Sequence, residues 1–215
     1  MGEIVLVRHG QANSGAMTEE EYDRLSDLGK SQAVWLGEWM RAHEPGFDLV
    51  LSGTMRRHIE TAKGLGLEPE RTDPRLNEVD YFALARDMEI NHGIPQPRGL
   101  QDYATHLPQT LAAWEKAEIA GTEPFDAFEC RVSAVLEEAA EPGRRVLCVT
   151  SGGVISMALR IALGLDIHRL AQILLPISNS SIHRFRVLEA GIFLSGFNAV
   201  PHLDHPDRKD LKTYV

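Results

Sequence analysis

Short apolar runs alternate along the chain with longer segments of helical periodicity. Three of these runs predict buried strands, and their sequences are IVLV (4–7), FDLVLS (47–52) and RRVLCVT (144–150). Between the first two, Leu28, Leu36 and Met40 recur at helical spacing until Pro45 ends the pattern. A second helical segment, GTMRRHIETAKGLG (53–66), directly follows the second run. This alternation of strands and helices predicts βαβ units and a mostly parallel sheet.

The C-terminal part of the chain completes the same architecture. One helix is predicted near residues 125–140 and another over VISMALRIALGL (154–165). The segments SIHRFRVL (181–188) and IFLSGF (192–197) flank Glu-Ala-Gly, and they predict an antiparallel hairpin at a sheet edge. The pattern therefore predicts a three-layer α/β fold, with a mostly parallel central sheet, helices on both faces and one antiparallel edge strand.

The periodicity loosens between residues 80 and 122. GIPQPRGLQD (93–102) predicts a loop, and THLPQTLAAWEKAEIAG (105–121) predicts one helix. Because 215 residues suit one α/β domain with a sizeable core, we predict a single domain over residues 1–215. The loosened segment then forms a cap or specificity insertion near residues 80–122.

Composition narrows the choice of partners and compartment. A formal net charge of -9 disfavours nucleic acid and anionic lipid. No apolar run approaches the roughly 20 residues of a membrane span, and the N-terminal residues lack the features of a secretory signal. The two cysteines have neither metal nor disulfide spacing. We therefore expect a cytoplasmic protein without nucleic-acid or membrane partners, and the edge of the terminal hairpin makes a homodimer a further expectation.

Polar and glycine-rich residues follow three of the predicted strands, in VRHGQ, VLSGTMRR and VTSGGV. In an open, mostly parallel sheet, ligands bind beyond the carboxyl ends of the strands, so these segments are expected to converge. Arg8, His9 and Arg57 would then surround one cavity with the helix start at Gly152. Two guanidinium groups, an imidazole and helix N-terminal amides suit a tetrahedral dianion such as phosphate.

These motifs, in this order, resemble the histidine phosphatase superfamily, which includes the cofactor-dependent phosphoglycerate mutases. The matching segments are RHG (8–10), LSDLGKSQA (25–33), Arg57 with TA (61–62), LNE (76–78) and NSSI (179–182). They run through most of the chain. The resemblance implies a phosphoglycerate mutase-like fold and a reaction without a cofactor.

The resemblance also implies roles for single residues. His9 would be the nucleophile that forms a phosphohistidine, with Arg8 and Arg57 holding the phosphoryl oxygens. Glu78 matches the proton donor of the family, and Asp80, two residues on, is a rival for that role.

The remaining candidates lie beside these positions. Arg56 is the alternative to Arg57, although the spacing to TA favours Arg57. Gln11 and Asn13, close behind His9, are further candidate site residues.

One position departs from the family pattern. The family carries a second histidine before the glycine pair, where this chain has Ser151. Ser151 and Gly152 can still donate hydrogen bonds to a phosphate, but losing one donor typically slows an enzyme by about 10²–10³-fold.

Two histidines are candidates to compensate for this departure. His58 is the nearer one, and His183 is the weaker one. Neighbouring helical residues point about 100° apart, so Arg57 and His58 are not both expected to face inward.

The leading function is a metal-independent phosphomonoesterase that acts on a small phosphorylated metabolite. The alternatives are a phospho-ligand binding protein with weak or no turnover, which Ser151 would favour, and a phosphoglycerate mutase. The mutase is disfavoured because ANSG (12–15) and VDYF (79–82) stand where mutases carry Ser-x-Trp-Asn and Arg-His-Tyr-Gly. A metallohydrolase is disfavoured because the sequence contains no cluster of residues with metal-ligand spacing, and no metal is expected.

Overall fold

A six-stranded mixed sheet forms the centre of the protein in a computed structural model that describes residues 2–214. The strand order is β3-β2-β4-β1-β5-β6. The strands are β1 (Gly2–Arg8), β2 (Leu49–Ser52), β3 (Arg71–Thr72), β4 (Arg145–Thr150), β5 (Ile182–Leu188) and β6 (Gly191–Ala199). The first four pair in parallel, whereas β5 runs antiparallel to β1 and to β6. The predicted fold class is confirmed, and the reversed strand β5 lies one position in from the edge.

Within the described part of the chain, eight helices surround this sheet. They are α1 (Glu19–Tyr22), α2 (Asp27–His43), α3 (Arg56–Leu65), α4 (Tyr81–His92), α5 (Leu100–Glu115), α6 (Phe125–Ala139), α7 (Gly152–Leu163) and α8 (Ile167–Leu174). Short 3-10 turns lie at Pro74–Leu76, Pro201–Leu203 and Pro206–Leu211. None of the helices between residues 2 and 214 combines the length and the apolar character needed to cross a bilayer.

The alternation of side chains along β1 divides the core into two layers. Val5 and Val7 pack on one face of the sheet with Leu36 of α2 and Leu65 of α3. The intervening Ile4 and Leu6 point to the other face, because successive strand residues project to opposite sides. There they join a larger apolar cluster with residues of α4 to α8. Helices therefore cover both faces, as the sequence predicted.

The segment predicted as an insertion contains two helices, α4 and α5, where the sequence predicted one. That prediction was wrong because α4 buries only Leu84, Ala85 and Met88, which leaves a weak periodic signal. Asp80 accepts a hydrogen bond from the Ala83 N–H and so begins α4. Both helices contribute to the larger apolar cluster.

Candidate active site

His9 lies immediately after β1 and is almost fully buried, with 2% of its surface exposed. Its backbone N–H donates to the Thr150 carbonyl over 2.9 Å, which ties the end of β1 to the end of β4. The ring nitrogen Nδ1 is 2.7 Å from the Gly10 carbonyl oxygen. Because a carbonyl can only accept, Nδ1 carries the proton, and Nε2 of the neutral ring keeps a lone pair. The local backbone therefore presents Nε2 as a nucleophile.

Electrostatics keep this imidazole neutral. Burial lowers the pKa of His9 well below 6.5, and the positive charges of Arg57 and Arg8 lower it further. The hydrogen bond to Gly10 opposes this shift without cancelling it. At neutral pH the ring therefore stays uncharged, which is the state that can attack an electrophile.

Arg8 is the last residue of β1, and its guanidinium is anchored from one side. Nη1 donates to the carbonyl oxygens of Ile177 and Tyr214, the second over 2.8 Å. The buried Nε has no partner among residues 2–214. It lies beside Gly152, where an added Cβ would be 3.6 Å away. The free N–H of Arg8 is therefore held next to the first residue of α7.

Arg57 lies in the first turn of α3 and is completely buried. Its Nη1 donates to Glu19 over 2.6 Å and to Asp23 over 3.1 Å, and the guanidinium carbon is 5.1 Å from the centre of the Tyr22 ring. Nε and Nη2 are buried without partners. Arg56, by contrast, is exposed and pairs with Glu60 over 2.6 Å. Arg57 is thus the arginine that the fold places inside.

Three buried guanidinium nitrogens, Nε of Arg8 and Nε and Nη2 of Arg57, have no acceptor among residues 2–214. Buried donors of this kind are rare, because leaving one unpaired costs about 1–3 kcal/mol. A bound anion would satisfy them. The charges of both arginines also act on His9, which places its ring in the neighbourhood of these donors.

His58 also faces this pocket. Its Nε2 is 2.6 Å from Ser151 Oγ, and its ring centre is 5.7 Å from that of His9. The expectation that Arg57 and His58 could not both face inward was wrong. Arg57 contacts Glu19 of α1, whereas His58 contacts Ser151 at the start of α7. We call the group of buried side chains formed by Arg8, His9, Arg57, His58 and Ser151 the pocket. Burial, with a smaller effect of the Arg57 charge, lowers the pKa of His58 well below 6.5.

The position of the His58 ring depends on Gly53. A Cβ added at Gly53 would lie 2.1 Å from His58 Nδ1, far inside van der Waals contact. We expect Gly53→Ala to destabilise the protein by about 1–3 kcal/mol, as overpacking of a closed core does. Denaturant unfolding measures this change.

The matched control is Gly15→Ala, where an added Cβ meets nothing within 4 Å. Equal free energies of unfolding for the two variants would show that the ring of His58 is free to move aside.

Glu78 and Asp80 differ in what they bind. Glu78 Oε2 accepts from the Gly153 N–H over 2.9 Å, and Oε1 accepts from the Val79 N–H over 3.0 Å. A Cβ at Gly153 would come within 2.0 Å of Glu78 Oε1, so glycine permits this approach. Asp80 instead caps α4 through Ala83 over 3.0 Å. The structure therefore brings Glu78 to the start of α7 and uses Asp80 to begin a helix.

The other predicted candidates make contacts that hold neighbouring elements together. Gln11 accepts from the Ser26 hydroxyl over 2.8 Å at the start of α2, and Asn13 donates to the Glu21 carbonyl over 3.0 Å in α1. His183 is buried in β5, where Nε2 is 2.9 Å from Ser181 Oγ and Nδ1 accepts from the Asn198 N–H. These contacts indicate supporting positions for all three residues.

Sequence reasoning missed helix α1. Glu19 and Asp23 bind Arg57. The rings of Tyr22 and His9 meet edge to face, with their centres 6.3 Å apart. Burial raises the pKa of Glu19 to about 7, although the charge of Arg57 opposes the shift. Because α1 buries no residue, it left no apolar periodicity to find. Its signal was the acidic run after Thr18, whose side chain caps the helix.

Metal ligands are a separate question. Within residues 2–214, no group of three or more His, Cys, Asp or Glu side chains is arranged to hold a metal ion. The positive charge of the site comes from the two guanidinium groups.

Solved structures of other proteins share this fold. A phosphoserine phosphatase mutant from Entamoeba histolytica, in complex with phosphoserine, has a TM-score of 0.69 at 16% identity and covers 94% of this chain and 100% of its own. YhfR of Bacillus stearothermophilus has a TM-score of 0.69 at 19% identity, with coverage of 94% and 99%. A mycobacterial glucosyl-3-phosphoglycerate phosphatase, in complex with VO3, has a TM-score of 0.64 at 26% identity, with coverage of 92% and 98%.

Among curated proteins, none is similar enough in sequence to count as a relative. The family model of the histidine phosphatase superfamily (branch 1) matches residues 4–200. This match confirms the resemblance that the ordered motifs indicated. The chain belongs to the histidine phosphatase superfamily.

Proposed function

We propose that the protein is a phosphomonoesterase that transfers the phosphoryl group through a phosphohistidine at His9. Family membership supports an enzyme of the phosphatase or mutase type. The observation that carries the finer proposal is that a lone pair on His9 Nε2 and three guanidinium nitrogens without partners occur in one site. This arrangement combines a nucleophile with donors for the oxygens of the group it attacks.

The proposed reaction has two steps. In the first, the lone pair of His9 Nε2 forms a bond to phosphorus while the bond from phosphorus to the ester oxygen breaks. Glu78 gives its proton to the departing oxygen. In the second, water attacks phosphorus, the P–N bond breaks, and Glu78 takes a proton from the water. Free phosphate leaves, and His9 returns to its neutral form.

Glu78 is the preferred donor because its carboxylate reaches Gly153, the second residue of α7. That helix start lies beside the free Nε of Arg8, at the place proposed for the phosphoryl group. The carboxylate of Asp80 caps α4 instead. Glu78 therefore stands where a leaving oxygen would depart.

We propose a small phosphorylated metabolite as the substrate class. His9, Arg57 and Ser151 are all buried, so the phosphoryl group must enter below the protein surface. A slender ester can deliver it there more readily than a phosphorylated residue on a folded protein surface. The cationic charge at the base of the pocket removes the need for a metal to neutralise the phosphoryl oxygens.

A phospho-ligand binding protein is the second candidate. It is favoured by Ser151, an uncharged hydroxyl at the position where the family carries its second histidine. Such a protein would bind phosphate through Arg8 and Arg57 without releasing it from esters.

The test is release of phosphate from an aryl phosphate in the presence of a chelator, combined with rapid quenching. We expect steady release and a protein-bound phosphate that maps to His9 and is lost in acid. Tight binding of phosphate with neither release nor labelling would support the binding protein instead. Release that the chelator abolishes would contradict the metal-independent route.

A further inference from the structure

We propose that His58 is a positioning residue that turns the Ser151 hydroxyl into a hydrogen-bond donor for a phosphoryl oxygen. The proposal rests on the proposed function, because it concerns the same pocket. It gives a role to the buried imidazole of His58, which takes no part in the two-step reaction proposed above. The observation behind it is the 2.6 Å contact between His58 Nε2 and Ser151 Oγ.

The place of Ser151 makes its hydroxyl available to a bound anion. Ser151 follows β4, and the sheet register pairs its neighbour Thr150 with Arg8 of β1. Ser151 therefore stands beside His9 at the carboxyl edge of the sheet. It occupies the N-cap position of α7, yet its side chain caps none of the helix N–H groups. The hydroxyl is committed to His58 and not to the helix.

The chemistry of the ligand sets the direction of this hydrogen bond. A phosphoryl dianion has only acceptor oxygens, so Ser151 can help to bind it only by donating its O–H. The Oγ atom must then accept from His58, which requires the proton of the neutral imidazole to lie on Nε2. The reverse tautomer would aim an oxygen lone pair at the anion and leave a buried Nδ1–H without a partner.

The opposite side of the ring supports an action of His58 through Ser151 and not directly on the anion. Nδ1 has no partner and faces Gly53, at a distance that excludes a Cβ there. Nε2, the nitrogen on the other side, is occupied by Ser151. The ring is completely buried, so it has little freedom to turn. It can fix the hydroxyl, but it cannot itself reach the anion without breaking the contact.

The first experiment reads the tautomer of the unmodified protein. Two-bond 1H–15N correlations of the histidine rings are recorded with sulfate bound, a tetrahedral dianion whose oxygens can only accept, and His58 is assigned from the signals missing in His58→Gln. We expect the proton on Nε2. A proton on Nδ1 in the sulfate complex would overturn the proposal. This measurement needs no turnover, so it remains decisive even if the proposed phosphatase activity fails.

The second experiment separates positioning from structural support. Ser151→Ala and His58→Met are each expected to lower kcat by about 10²-fold while KM changes little, as loss of a preorganised donor does. The double variant is expected to be no slower than either single variant, because both changes remove the same donor. His58→Gln keeps an N–H near the position of Nε2 and is expected to recover at least about tenfold over His58→Met.

Multiplying effects in the double variant, or a His58→Gln enzyme as slow as His58→Met, would contradict the proposal. Unfolding midpoints are compared for each variant. If His58→Met does not fold, Ser151→Ala and His58→Gln still decide the matter, since the proposal requires the first to be slow and the second to remain active. An unmodified protein that releases no phosphate would refute the proposed function alone.

Discussion

His9→Ala is expected to lower kcat for an aryl phosphate by about 10⁴-fold or more, the scale seen when a covalent nucleophile is removed. Nε2 of His9 is the nitrogen that the backbone leaves with a lone pair, because Nδ1 donates to Gly10. His58 cannot replace it, since its Nε2 is held by Ser151. Steady-state release of phosphate measures the loss.

The same variant is expected to keep the fold and to go on binding inorganic phosphate, because the free N–H groups belong to Arg8 and Arg57. His168→Ala is the matched control, since His168 is exposed on α8 and should keep full activity. Activity of His9→Ala within tenfold of the parent protein would rule out the covalent route. Loss of phosphate binding along with turnover would instead point to a disrupted pocket.

The convergence of Arg8, His9, Arg57 and Ser151 could be predicted from the sequence for a physical reason. Each residue lies at the carboxyl end of a parallel strand or shortly after it. Parallel strands bring their carboxyl ends to one edge of the sheet. Short apolar runs bounded by polar residues identify such strands without any knowledge of long-range contacts. The order of the motifs along the chain then indicated the histidine phosphatase superfamily.

The inward position of His58 could not be predicted in this way. On a regular helix, neighbouring side chains such as those of Arg57 and His58 point about 100° apart, so they cannot both face the same partner. In the fold they lie in the first turn of α3, between two partners on opposite sides, Glu19 and Ser151. Which side chains surround a helix start is decided by packing between distant segments, and local periodicity carries no record of it.

The acidic helix α1 was hidden for a related reason. It buries no side chain, so the apolar pattern passes over it. Its effect is electrostatic, because Glu19 neutralises part of the Arg57 charge in the absence of a ligand. The chain as a whole is acidic, with a net charge of -9, yet its site concentrates buried cations. The net charge computed from composition therefore reflects the surface of the protein and does not reveal the positive charge of the pocket.

Arg57→Met is expected to lower kcat/KM by on the order of 10³-fold, the lower end of what a transition-state arginine contributes to phosphoryl transfer. Methionine has a similar length but removes the two guanidinium nitrogens that have no partner and could donate to an anion. It also leaves the Asp23 carboxylate without its partner beside the site, which repels the incoming phosphate. Steady-state kinetics with an aryl phosphate measure the change.

Arg56→Met is the control that isolates position from charge. The two arginines are adjacent and the substitution is the same, but the Arg56 side chain is 66% exposed and pairs with Glu60 on the surface. We expect that variant to keep kcat/KM within about threefold, because exposed ion pairs contribute little. Arg57→Lys should stay well below the parent enzyme, since a lysine cannot bind Glu19 and present two further N–H groups in one plane. Equal losses from Arg56→Met and Arg57→Met would mean that overall charge, and not the buried guanidinium, attracts the substrate.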